Sequence, residues 1–570
     1  MYRIITSFEE LPKFKPNIPV FADIETTGLY VGTRLVQLYQ PGTNEDVIIV
    51  DIAPSIKDIP QAEVKQKELV ELLKPLWLVF YNGSYDLGTL NFVPAKTDDL
   101  FYAVKTAYPH FMEFALDKET EKLPYTRGLY NGLDKKAMQK KGFARGAYLS
   151  KSQYRYSAID VIALSKMWTD PKIQNVIQNN LAYKVDIISQ EYAVQYQQNG
   201  LKVPQELVRE EIFKADLDVN KLQAELPYGL NVNSPKQVKE YLGTKGASRD
   251  VLLRSTHTMA PTIMALKKRR KELSYLNSIN YDEMVTKFNP AGAITGRFTS
   301  SGGDIVNGFN AQQIPHRFQY LFTQDTKDTT VIGLDYGTLE LRVAASIWGI
   351  EKMHGFFLNK QDLHTEMAKV ITGKKLKQGG VIKLKPEDWG THISDEWITD
   401  EDRTHAKACN FGFVFGMSAA TFMDYAFTSF GVRFTAAEAQ EIRDKFFALY
   451  PEAAAVHRSV WKNYKKPAFY VSTALGRRIK PRMGTDGINI PVQGTGAETT
   501  KLAVHYLIKA HPEAIHYIFN VVHDSCYMRV PKAEKELWHK RLKTAMLKGW
   551  TEIQKTDMFK YKDIEMTVAE

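Results

Sequence analysis

Two aspartates far apart in the chain, Asp335 and Asp524, each stand where an apolar run gives out. Residues 331–334, VIGL, read as a short buried strand that ends in Asp335. From Leu339 the apolar pattern turns helical through Leu341, Val343, Ala344 and Ile347. A strand-to-helix corner of this kind holds one acid at a sheet edge. Tyr336 and Glu340 are four apart and are predicted to share a helix face beside it. Asp524 sits in His523-Asp524-Ser525, the expected turn between strands at 521–522 and 526–530. One acid cannot hold a catalytic pair of divalent cations, whereas two brought together can. The N-terminal region offers more acids. Asp23 and Glu25 are two apart at the end of IPVFADIE, so on a strand they point to one side. Side-by-side carboxylates repel unless a cation lies between them. Asp86 follows a strand and turn in LVFYNGSYDLGTL, and Tyr156 and Asp160 share a helix face in YRYSAIDVIAL. Taken singly, each acid also reads as a helix start, a turn or a solvated strand end.

A different chemistry is written in 403–416, RTHAKACNFGFVFG. Arg403, Lys407, Phe411 and Phe415 are spaced by four, a helical stripe of two cations followed by two aromatic rings. A nucleoside triphosphate needs positive charge at one end and a flat surface at the other. The stripe offers both over about three turns of ~5.4 Å. Thr399 and the acids at 400–402 form a capping signature. Gly412 and Gly416 each cost roughly 1 kcal/mol of helix propensity. They are expected where a base pair must come close.

The elements that position these groups need a large chain, and 570 residues suffice for several domains of roughly 100–200 residues each. A net charge of +10 permits a polyanionic partner without demanding one. Cys409 and Cys526 are the only cysteines, which argues against a disulfide framework or zinc site and fits a reducing cytoplasm. The N-terminus lacks the apolar segment of a signal peptide. No apolar run approaches the ~20 residues of a membrane helix. A cytoplasmic, non-secreted protein is predicted. Residues 181–289 read as mainly helical, with Ser234 as an N-cap and Pro235 following it. The run Lys267, Lys268, Arg269, Arg270 and Lys271 would ordinarily be a solvated helix face. Residues 293–315, rich in Gly, Ser and Asn, read as a loop.

DYGTLELR at Asp335 resembles the DYSQIELR motif of family A DNA polymerases, the bacterial DNA polymerase I type, and VVHDSC resembles that family's VHDE. The 403–416 stretch resembles RxxxKxxNFGxxYG, PVQGTGAE resembles PIQGTAAD, and the 293–315 loop resembles TGRLSS…PNLQNIP. Asp23, Glu25, Asp86, Asp160 and Tyr156 resemble the three motifs of DEDDy 3′–5′ proofreading nucleases. The resemblance implies an α+β multidomain protein. An RNase H-like α/β exonuclease domain would occupy 1–185. A right hand would follow, with the thumb at 186–290, the palm at 291–350 and 476–570, and the fingers at 351–475.

It also implies roles. Asp335 and Asp524 would hold two Mg²⁺ ions, and the four N-terminal acids two more, with Mn²⁺ an alternative. Tyr156 would orient the attacking water. Arg403, Lys407 and His364 would meet the triphosphate, with Lys407 as proton donor. Tyr336, Phe411 and Phe415 would line the nucleotide site, and Glu340 would exclude a ribose 2′-hydroxyl. Arg297, Asn310, Gln312, Gln493 and His523 would touch primer–template DNA, and Lys267, Lys268, Arg269 and Arg270 would grip its backbone. The partners would be DNA and dNTPs, bound by a monomer with no membrane association. A chain of this length without a 5′-nuclease domain looks like a phage replication enzyme. The chain departs from the family at four places. Phe415 replaces a Tyr. Ser525 replaces an acid that is peripheral to the metals in the family. Extra residues lie between Ser301 and Asn310. A basic stretch at 374–397 has no assigned role. Two alternatives stay open: a 3′–5′ exonuclease with an impaired polymerase site, and a non-catalytic DNA-binding replication factor.

Overall fold

The computed structural model describes residues 1–111, 113–372, 374–375, 381–382 and 398–569. Most of the 374–397 stretch lies outside them.

The N-terminal body is built on a mixed six-stranded sheet. Its strands are β1 (Tyr2–Ile5), β2 (Val20–Gly28), β3 (Val31–Tyr39), β4 (Val47–Asp51), β5 (Trp77–Phe80) and β6 (Lys96–Asp99), in the order β1-β4-β3-β2-β5-β6. β2, β3 and β4 run antiparallel in succession, while β5 and β6 continue parallel to β2. Alternation along β2 sends Val20, Ala22 and Ile24 into a core shared with the Ala62–Leu73 helix. Phe21 enters the opposite core with the Leu100–Ala107 and Lys151–Trp168 helices. Asp23 and Glu25 share the side of Phe21 and therefore meet the Lys151–Trp168 helix.

The C-terminal half is organised on a second sheet, whose neighbouring strands are Ile518–Val522, Ser525–Pro531, Thr329–Tyr336 and Val568–Ala569. One face packs on the Leu339–Trp348, Gly484–Ala510 and Lys535–Ile553 helices. Along Thr329–Tyr336, Thr330, Ile332, Leu334 and Tyr336 are buried, while Val331, Gly333 and Asp335 look away from that core. Two long helices, Gln205–Ala224 and Ala260–Ser278, pair in the middle of the chain. Ser234 caps the Pro235–Leu242 helix through the Gln237 N–H. The expected boundary at 185/186 falls inside the Leu181–Tyr196 helix, which packs on Gly484–Ala510 of the other half.

Candidate active sites

The C-terminal aspartates come together because their strands are hydrogen-bonded neighbours. Asp335 pairs in register with Ser525, one residue beyond Asp524. Asp524 occupies the two-residue turn of the hairpin and reaches the Asp335 carboxylate. Burial, then the Asp335 charge and hydrogen bond, push the Asp524 carboxyl up to about 7. Both corners use non-glycine residues in the left-handed region, Thr338 (φ 51°) and His523 (φ 53°), which costs about 1–3 kcal/mol each. The Ser525 hydroxyl donates to Asp335 at 3.0 Å. Ser525 is thus in contact with the acid pair. Cross-strand neighbours on one sheet face necessarily meet.

Tyr336 departs from expectation. The strand continues through it, so alternation turns its ring into the core, where its hydroxyl donates to the Met546 carbonyl at 2.7 Å. It does not share a helix face with Glu340, and its ring is closed off from a nucleotide. Glu340 lies in the first turn of Leu339–Trp348 and is ion-paired to Arg297. Burial raises its carboxyl, opposed by that guanidinium. His523 is exposed at the turn, near enough to Arg297 and Asp335 for both charges to act on it. The Gln312 side-chain amide donates to the Val521 carbonyl at 3.0 Å, and Asn310 accepts from the Ser300 hydroxyl at 2.6 Å. Gln493 is half-buried on Gly484–Ala510.

The Asp400–Val414 helix carries the cation–aromatic stripe. Thr399 and Asp402 form its reciprocal capping box. Arg403 and Lys407 are exposed and Phe411 is half-buried, while Ala406, Asn410 and Phe413 face the core. Phe415 is the C-cap, one residue past the helix. Arg403 is held by Asp362, at 2.8 Å from Nη2, a partner no motif pointed to. His364 lies behind the helix, its Nδ1 3.0 Å from the Asn410 amide. Burial, reinforced by Arg403 and Lys407, pushes its imidazole down to about 4. The glycines also have local structural reasons. A Cβ on Gly412 would lie 3.0 Å from the Phe422 ring, and Gly416 adopts φ +84°.

The N-terminal acids also converge. Oxygens of Asp23, Glu25 and Asp160 lie within 4.8 Å of one another. Asp86, in the first turn of Ser84–Leu90, stands beside this cluster and accepts the Ile24 N–H at 3.1 Å. Burial, then Asp99 and later Asp160, hold its carboxyl well above the usual range. Tyr156 is buried on the same helix as Asp160, its hydroxyl pushed far up by burial and by Asp160, Glu25 and Asp23. Two contributors escape sequence reasoning. The Tyr130 hydroxyl hydrogen-bonds Asp160, and the Ser157 hydroxyl donates to Glu25 at 3.2 Å. Tyr130 lies in a Gly-punctuated turn without periodicity, so nothing local marks it. Ser157 could have been found, since it follows Tyr156 by one residue.

The five-cation run does not form one surface. Successive helical residues are rotated by about 100°, so five in a row encircle the Ala260–Ser278 helix. Arg269 is buried against Asp218 and Glu272, both at 2.8 Å, and does not grip a backbone. Arg270 donates to Gln223 at 2.7 Å and Lys267 to the Ala247 carbonyl at 3.2 Å. Lys268 and Lys271 are the exposed members, facing a cavity beside Asn310.

The family model described as DNA polymerase family A matches residues 205–381 and 388–556. DNA polymerase I of Aquifex aeolicus (strain VF5) is 27% identical, with 92% of each chain covered. The thermostable DNA polymerase I of Thermus aquaticus is 25% identical over 58% of this chain but only 40% of its own length. In fold, the chain resembles the POL domain of Pol1 from M. smegmatis, solved in complex with DNA primer-template and dNTP. The TM-score is 0.67 at 18% identity, with 96% of this chain and 94% of that one covered. Among the described residues no helix is long and apolar enough to cross a membrane. With the matched model spanning most of the chain and the paired aspartates lying inside it, the protein belongs to the family A DNA polymerases.

Proposed function

We propose that the chain extends a primer 3′ end on a DNA template by two-metal phosphoryl transfer at Asp335 and Asp524, and trims that end by 3′–5′ hydrolysis at Asp23, Glu25, Asp86 and Asp160. The observation that carries the reading is the contact of Asp335 with Asp524, one hairpin tip against one strand end. Two carboxylates this close ionise together only when a cation joins them. The three-acid cluster around Asp23 is likewise a hard-oxygen donor set. Mg²⁺ or Mn²⁺ bound at such sites would lower the pKa of a coordinated hydroxyl or water and neutralise charge on the transferring phosphoryl group.

The remaining roles belong to side chains. Arg403 and Lys407 present positive charge to a triphosphate, and Lys407 would return a proton to the leaving pyrophosphate. Phe411 supplies a flat surface beside them. Glu340, fixed by Arg297, stands next to the aspartates, where it would crowd a ribose 2′-hydroxyl. In the N-terminal site Tyr156 positions water and Tyr130 holds Asp160. The divisions at 1–185, 186–290, 291–350, 351–475 and 476–570 are proposed as exonuclease, thumb, palm, fingers and palm. The first junction is shared along the Leu181–Tyr196 helix.

A 5′-labelled primer on a longer template tests this directly. With Mg²⁺ and all four dNTPs the label should lengthen, and without nucleotides it should shorten from the 3′ end. Shortening alone would favour the nuclease with an impaired polymerase site, and binding with neither reaction would favour the silent factor.

A further inference from the structure

The extra residues between Ser301 and Asn310 reach across to the N-terminal body. They form a loop whose neck closes where Gly302 meets Gly308, with no room for a Cβ on either. Val285 fixes one side of the neck. Its N–H donates to the Asn307 carbonyl and its carbonyl accepts the Phe309 N–H, both at 2.9 Å. At the far end of the loop, the Asp304 carboxylate accepts the Leu29 N–H at 2.6 Å, and the Leu29 carbonyl accepts the Asp304 N–H at 2.8 Å. Leu29 and Tyr30 are the tip of the β2–β3 hairpin, 275 residues away in sequence at Leu29. Gly303 permits the approach: it adopts φ +58°, and a Cβ there would lie 2.7 Å from the Leu29 carbonyl oxygen.

The hairpin tip bears on two of the N-terminal acids. The Tyr30 ring packs on Tyr85, with centroids 5.0 Å apart, and the Tyr85 hydroxyl hydrogen-bonds the Thr26 hydroxyl. Thr26 follows Glu25, and Tyr85 precedes Asp86. These contacts join the strand carrying Glu25 to the helix carrying Asp86. Strand pairing alone does not fix this end, because the β2–β3 register shifts between Glu25 and Thr26 and such an irregularity breaks the ladder locally. Tyr30 also sits in the left-handed region at φ 66°, a conformation that persists only with outside support. A carboxylate on a backbone N–H supplies a stronger bond than a neutral acceptor would. We propose that Asp304 is a positioning residue for 3′–5′ hydrolysis: it holds the hairpin tip and so keeps Glu25 and Asp86 spaced for a divalent cation. The proposal rests on the proofreading reading above.

The test uses the full chain with Asp304→Ala and Asp304→Asn. Asp304 and Leu29 are both exposed, so water can take the N–H that Asp304→Ala frees. In the labelled-primer assay without nucleotides, Asp304→Ala should slow trimming about tenfold and raise the Mg²⁺ concentration at half-maximal rate by a similar factor, as loss of a group that orients metal ligands does. Extension should be unchanged. Asp304→Asn keeps an acceptor for the Leu29 N–H and should recover most of both losses. Unchanged trimming in Asp304→Ala would overturn the proposal. So would slower trimming at an unmoved Mg²⁺ dependence, an equal loss of extension, or no recovery in Asp304→Asn. Hydrogen exchange separates failure of the tie from failure of the nuclease. In Asp304→Ala, peptides spanning 26–31 and 84–90 should exchange faster. Unchanged exchange would overturn the tie, whereas faster exchange in a chain that never trims would overturn the proofreading reading and keep it.

Discussion

The two acid sites solve one problem in opposite ways. At the C-terminal site, two aspartates sit on adjacent strands of one sheet, and backbone register alone sets their approach. At the N-terminal site, the acids come from a strand and two helices, and side-chain bonds finish the arrangement: Tyr130 on Asp160, Ser157 on Glu25, the Ile24 amide on Asp86. The first site therefore depends on pairing between distant parts of the chain, and the second on the packing of a three-layer body. Sheet register is all-or-none, because a one-residue slip moves every side chain to the other face. A packed site tolerates graded loss.

The strongest challenge to this separation is substitution of one acid in each site. Asp335→Ala is expected to cut primer extension by on the order of a thousandfold or more while leaving 3′ trimming within about twofold. Asp23→Ala should do the reverse. Loss of both activities from either change, seen in the labelled-primer assay, would mean the sites are not independent. Lys407→Ala should lower the extension rate about a hundredfold, with trimming unaffected. An equal loss in both reactions would place Lys407 in general DNA binding instead.

The surroundings of the two sites should also respond to pH with opposite sign. In the C-terminal half, burial holds His457 and His364 down at about 4. The unfolded chain takes up their protons near 6.5 and the folded chain only near 4, so local stability should fall as pH drops through that window. The loss is about 3 kcal/mol per group. In the N-terminal body, burial raises Glu119 to about 8. It ionises near 4.5 when unfolded, so local stability should fall as pH rises from about 4.5 to 8, by on the order of 4 kcal/mol. Hydrogen exchange on peptides from each region checks the signs, and His457→Asn and Glu119→Gln should flatten their respective curves.

The smallest effects should come from the hydroxyls. Ser525→Ala removes the bond to Asp335 and should slow extension by about fivefold, the equivalent of ~1 kcal/mol. Tyr130→Phe should slow trimming by a similar factor and raise the Mg²⁺ concentration at half-maximal rate. If Ser525→Ala left extension unchanged, that hydroxyl would be a bystander of register rather than a support of the acid.

How far the residues announce this arrangement depends on the range of the interaction. Local patterns carry their meaning in a few positions, so the capping box at Thr399, the stripe from Arg403 to Phe411 and the hairpin around Asp524 are legible. Tyr336 is misread because the end of a strand is not marked: the ladder runs two residues further than the apolar run suggests. Arg269 is misread because a run of like charges looks like a surface, whereas helical rotation buries one member in every few. Ser525, Asp362 and Tyr130 gain their roles only from partners at least 30 residues away. No spacing rule reaches that far.

The Leu181–Tyr196 helix places Asp186 in the seam between the halves, 1% exposed, where it takes both Arg477 and Lys501 at 2.6 Å. Those partners are 291 and 315 residues downstream. At about 5–20 residues per second, a ribosome would deliver Lys501 roughly 15–60 s after Asp186. The nascent N-terminal body must wait through that interval with an uncompensated carboxylate on an unfinished surface. The seam cannot close before Lys501 has been made, and stalled chains that end before it should resist protease throughout the N-terminal sheet yet be cut within the helix.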